Sequence, residues 1–161
     1  MSSRRTAPIW LAVLTLALTA CGRLYELPPP QGEPVLLKPA ELATTWTDAD
    51  GGTVTLKPDG TFVAHDICLA ISWDRVTGSG TGTWKHGTAR GFSVLSLDFD
   101  VDKNGTSPFT DQFDGAPYPV DEATHIDSYA ALKYGKLLKF WTRVGDPDND
   151  YPHCTLTHPA N

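Results

Sequence analysis

The chain has 161 residues, with 19 Asp+Glu against 13 Lys+Arg and a formal net charge of −6. That length suits one domain of ordinary size. The acidic balance excludes a nucleic-acid partner, which needs a basic face.

Arg4 and Arg5 open a short basic start, and Ile9 to Leu18 is apolar apart from Thr15. This run is shorter than the roughly 20 residues a membrane-spanning helix needs, so residues 1–20 read as an export signal. The signal ends in Leu18-Thr19-Ala20-Cys21, which resembles the lipobox of bacterial lipoproteins. That resemblance implies a diacylglyceryl group on the Cys21 sulfur and cleavage just before it. The protein would then be held by lipid on the extracytoplasmic face of the bacterial cell membrane. The alternative is an ordinary signal peptide followed by an incidental cysteine. Losing Arg4 and Arg5 takes the formal charge from −6 to −8. So acidic a chain argues against a second, polybasic attachment to anionic lipid.

Residues 21–39 read as a lipidated tether. Pro28, Pro29, Pro30, Pro34 and Pro39 favour an extended polyproline II chain over a packed element. The domain is expected over residues 40–161. Pro39 to Ala43 suits one helical turn, with proline at an early position. Thr44–Asp48, Thr53–Lys57 and Thr61–His65 alternate with period two, and Lys57-Pro58-Asp59-Gly60 is a hairpin turn. Residues 66–81 are read as irregular, followed by a short strand over Gly82–Lys85. Phe92–Val101 has the clearest alternation, with one apolar and one acidic face, the pattern of a half-buried antiparallel strand. Asp102 to Asp127 reads as a long loop. Ser128–Tyr134 and Lys136–Val144 form a hairpin about Gly135. An acidic turn holding Asp146, Asp148 and Asp150 precedes a closing strand over Tyr151–Thr157.

This pattern is all-β: an antiparallel meander of about eight strands, closed or partly closed into a barrel, with one short N-terminal helical turn. Glu41 to Trp46, Gly51 to Leu56, Asp59 to Phe62, Gly80 to Trp84 and Gly145 to Asp148 are similar to small secreted lipoproteins of actinomycetes. The opening turn and tryptophan strand resemble lipocalin-like barrels. These resemblances imply a lipocalin-like domain and bring no activity with them.

With Cys21 assigned to lipid, Cys68 and Cys154 are read as a disulfide, the usual state of a cysteine pair in an exported chain. The competing reading is a metal site, since His153 and His158 flank Cys154. A second cation reading rests on Asp100-x-Asp102-x-Asn104-Gly105 with Asp111 beyond. Alternating oxygen ligands around a sharp Gly turn suit structural calcium, although Asn-Gly also marks a plain turn. No Gly-x-Ser-x-Gly elbow is present, and the acidic strand face is accounted for by solvation, so an enzyme is not expected. Trp46 and Trp84 fall on core positions. Trp73 and Trp141 are left over as candidate ligand-binding aromatics at a mouth or on the surface. The expected function is therefore a non-enzymatic module binding a small apolar or amphipathic ligand. The alternative is an envelope protein-interaction or structural module using an exposed patch at Phe109, Phe113 and Tyr118.

Overall fold

The computed structural model describes residues 30–71, 74–101, 106–111, 115–119, 125–142 and 154–159. Cys21, the signal segment, Trp73, Asp102, Asn104, Phe113, the Asp146–Asp150 turn and His153 lie outside them.

The described chain forms ten strands and one helical turn. In order these are β1 (Glu33–Pro34), α1 (Pro39–Leu42), β2 (Thr45–Asp48), β3 (Thr53–Leu56), β4 (Thr61–Ile71), β5 (Asp74–Ala89), β6 (Phe92–Phe99), β7 (Phe109–Asp111), β8 (His125–Tyr134), β9 (Leu137–Thr142) and β10 (Cys154–Pro159). Every pairing is antiparallel. Eight strands, β2-β3-β4-β5-β6-β8-β9-β10, close on themselves as a barrel, because β10 pairs with β2 as well as β9. Closure removes the exposed edges an open sheet would carry.

Period-two alternation builds the wall. On β6, Ser93, Leu95, Leu97 and Phe99 are buried while Val94, Ser96 and Asp98 are half-buried on the other face. Inward residues fill the interior. Trp46 meets Phe140 edge-on at 4.9 Å, and Phe62, Phe99 and Phe109 form a chain of edge-to-face contacts at 4.8 and 5.0 Å. Leu42, Val54, Leu56, Ile67, Leu69, Leu95, Leu97 and Leu156 complete the same continuous cluster. The expected irregular stretch 66–81 is instead the end of β4 and the first half of β5. A bulge between Ala64 and Ile67 puts Asp66 at φ 50°. The Ser79 hydroxyl holds it, accepting from Asp66 N–H and donating to its Oδ1, both at 2.8 Å.

The strand ends divide the barrel into two ends. One end carries α1, the Lys57–Gly60 turn, the Arg90–Gly91 turn and the β8–β9 turn. The other carries the Asp48–Gly52 turn and the disulfide between Cys68 and Cys154, whose Cα atoms are 5.4 Å apart. That separation is ordinary for the bond.

Residues 33–38, read above as the end of the tether, are extended but docked. Glu33 and Pro34 pair with Lys133 and Leu132. β6–β8 pairing reaches its limit at Val94↔Ala130. There Val35 bridges the two strands, donating to Ala131 O (3.2 Å) and accepting from Ser93 N–H (2.9 Å). Proline is tolerated because this is a marginal strand.

Candidate functional site

The best-formed polar site lies at the disulfide end, in a cleft of about 350 Å³ lined by Asp50, Gly51, Gly52, His65, Asp66, Cys68 and Thr77. Asp48, at the end of β2, ties two of the cleft's lining residues, Gly52 and Cys68, together. Its buried carboxylate accepts Asp50 N–H (3.0 Å) and Gly52 N–H (2.7 Å) on Oδ1, and Cys68 N–H (2.7 Å) on Oδ2. One side chain thus folds the β2–β3 turn back and fastens it to β4. Gly52 is required for that approach, since a Cβ there would lie 2.2 Å from Asp66 O. From β5, the Arg75 guanidinium pairs with Asp50 through Nη2 and donates from Nε to Cys68 Sγ at 3.1 Å. Asp50, His65 and Asp66 are exposed along the cleft, which makes it polar and anionic.

A second polar cluster sits on the outer wall. Asp98 on β6 contacts His125 Nδ1 through Oδ1 and accepts Lys85 Nζ at 3.2 Å through Oδ2. The hydrogen bond to His125 holds the Asp98 carboxyl below the usual carboxylate range; partial desolvation opposes this, and Lys85 adds to the lowering. Sequence reading accounted for Asp98 by solvation and did not single out His125. No local signal joins residues 27 positions apart.

A serine–histidine pair is also present, with Ser93 Oγ 3.1 Å from His86 Nε2. It is a clasp for the docked tether. Ser93 is fully buried, and its Oγ accepts Leu37 N–H at 2.7 Å. A nucleophile shut off from solvent and already bonded to the backbone has no access to a substrate.

Of the expected ligand and calcium residues, Trp141, Asp100 and Asp111 lie among the described residues, and these three do not converge. Trp141 is half-buried on the outward phase of β9, beside Ala130 and Thr155 in register, while its neighbour Phe140 points inward. The Asp100 carboxylate accepts the Thr81 hydroxyl at 2.8 Å. Asp111 pairs with Val76 on β7. Thr81 and Val76 are five residues apart on β5, so the two aspartates are held about 17 Å apart along the strand. That is too far for both to meet one cation at about 2.4 Å. Among the described residues no three His, Cys, Asp or Glu side chains are grouped to hold a metal. Cys154 is committed to sulfur, and His158 Nδ1 lies 2.9 Å from Thr45 O with its ring against Trp46. The exposed patch expected at Phe109 and Tyr118 is not formed. Phe109 is fully buried against Phe99, and Tyr118 is buried with its hydroxyl donating to Asp74 at 2.9 Å. Both serve the core because β7 docks on β5 and Tyr118 N–H bonds to Phe109 O at 3.0 Å. No family model, curated protein or solved structure matches the chain.

Proposed function

We propose that the protein is a membrane-anchored extracytoplasmic lipoprotein, non-enzymatic, that carries a rigid barrel on its anchor and binds through the barrel's far end. The observation that carries this reading is the barrel's polarity. The chain from Cys21 enters at Glu33 at one end, and the polar cleft opens at the other. The likeness of Leu18–Cys21 to a lipobox supports the anchor. A filled interior leaves the cleft as the place for a ligand. Its lining of Asp50, His65 and Asp66 suits a polar, cation-bearing ligand or partner better than the apolar one expected from the tryptophans.

Mass spectrometry of the protein from membranes tests the anchor: the amino-terminal peptide begins at Cys21 and carries acyl chains. An unmodified cysteine, or a Cys21→Ser chain processed and retained identically, overturns it. For the cleft, thermal shifts with cationic peptides and with fatty acids separate the two chemistries. Stabilisation by fatty acids alone would refute the polar reading.

A further inference from the structure

The net charge of the chain conceals a division. The end of the barrel where the tether docks carries cations on its turns: Lys57, Arg90 and, on the β8–β9 hairpin, Lys133 and Lys136, all exposed. Lys139 belongs to the same hairpin, with Nζ 4.7 Å from the centre of the Tyr134 ring. Acidic groups there are fewer: Glu33, Asp59 and Glu41, the last bonded to Lys38 N–H at 2.7 Å. The opposite end holds Asp48, Asp50, Asp66 and Asp74, with Arg75 among them.

Apolar exposure is divided the same way. Four large hydrophobic side chains are exposed among the described residues, and three of them, Leu36 (60%), Tyr134 (50%) and Leu137 (40%), belong to the tether end. The two-residue turn Gly135-Lys136, with Gly135 at φ 57°, pushes Tyr134 and Leu137 outward together. Between the docked tether and this hairpin lies a cleft of about 450 Å³ lined by Gly32, Glu33, Lys133, Tyr134 and Gly135. Tyrosine and leucine ringed by lysines are the composition of a membrane-interface contact, with an apolar body, a polar tip and cations toward the headgroups.

We propose that the β8–β9 hairpin and Leu36 form a membrane-docking face that seats this end of the barrel on an anionic bilayer. The inference rests on the anchored reading above and adds an orientation to it. Twelve residue steps lead from Cys21 to Glu33, at most about 40 Å of extended chain. An anchor that close raises the effective concentration of the face at the bilayer, so weak attraction suffices. The acidity of the whole chain does not oppose this contact: attraction acts over a screening length of about 8 Å, so the charge at the contact decides, and the acidic end is turned away.

The test labels lysines of the lipidated protein, in vesicles, with a water-soluble amine acylating reagent and reads each site by mass spectrometry. The vesicles are phosphatidylcholine alone or an equal mixture with phosphatidylglycerol. Lys133 and Lys136 are expected to react about fivefold more slowly on the anionic vesicles, the equivalent of roughly 1 kcal/mol per cation near the surface. Lys85, on the barrel wall, is unchanged, and the protection disappears in ~500 mM salt, where screening is short. In Lys133→Glu/Lys136→Glu, the protection of Lys57 and Lys139 is lost. Equal labelling on both vesicles overturns the proposal. An amino-terminal peptide without acyl chains overturns the anchor instead, and the same labelling of that chain with added vesicles still reads the face.

Discussion

Replacing Asp48 by alanine removes one carboxylate that satisfies three backbone donors. Asp50 N–H is at an exposed turn and returns to water. Gly52 and Cys68 are buried, and their N–H groups lose a charged acceptor. Each orphaned donor costs about 1–3 kcal/mol, which puts the substitution at roughly 4 kcal/mol, a large part of the 5–15 kcal/mol that holds an ordinary domain folded. Asp48→Asn keeps an oxygen for the turn but presents either an amide N–H or nothing to Cys68 N–H; its cost is about half as large by the same reasoning. Equilibrium urea unfolding, with the disulfide intact, reads both. The midpoint should fall in the order wild type, Asn, Ala, with the slope unchanged. A shift below about 1 kcal/mol for Asp48→Ala, the size of one ordinary hydrogen bond, would mean that the carboxylate does not bear the turn. Asp48 and the disulfide both hold Cys68, so the two losses should be non-additive in a double-mutant cycle.

Cys68→Ala/Cys154→Ala opens a loop of 86 residues; loop-closure entropy puts the loss at about 4–5 kcal/mol, read as a lowered Tm by calorimetry. Gly82→Ala would place a Cβ 2.0 Å from Asp98 O and 2.8 Å from Phe62 Cε1. The β5–β6 pairing must give way, so the variant should lose cooperative unfolding in near-ultraviolet circular dichroism, and native-like melting would contradict the geometry. Asp98 titrates below its unfolded value of about 3.9, so its contribution is present above that pH and is lost as pH falls through its folded pKa. His125→Ala should therefore flatten stability against pH below about 4 and cost only about 0.5 kcal/mol at neutral pH, since the pair is partly exposed. Parallel acid-unfolding curves for the two proteins would remove His125 as the cause.

Much of the wall was legible because alternation is a local property. The β6 pattern, the Lys57–Gly60 turn and the hairpin about Gly135 all followed from neighbours in the chain, while the pairing of the two cysteines followed from their number once Cys21 was set aside. The first half of β5 did not. Gly78 and Gly80 are poor strand formers, and their stretch read as irregular. Their reason is tertiary: a Cβ at Gly78 would lie 2.4 Å from Leu69 Cδ1, so the bare backbone leaves room for side chains that fill the barrel. Proline likewise marked residues 33–38 as tether, since spacing cannot show a gap between β6 and β8 that Val35 bridges.

The sites divide along the same line. Sequence alone determined an acidic, all-β chain with a lipobox-like cysteine ahead of prolines, because composition, period and order are properties of the chain itself. Only the tertiary structure decided that Phe109 and Tyr118 turn inward, that Asp100 and Asp111 stand apart, and that Lys133 and Lys136 gather beside the tether while the aspartates gather at the other end. Those are distances between residues remote in sequence, and the closure of the barrel sets them.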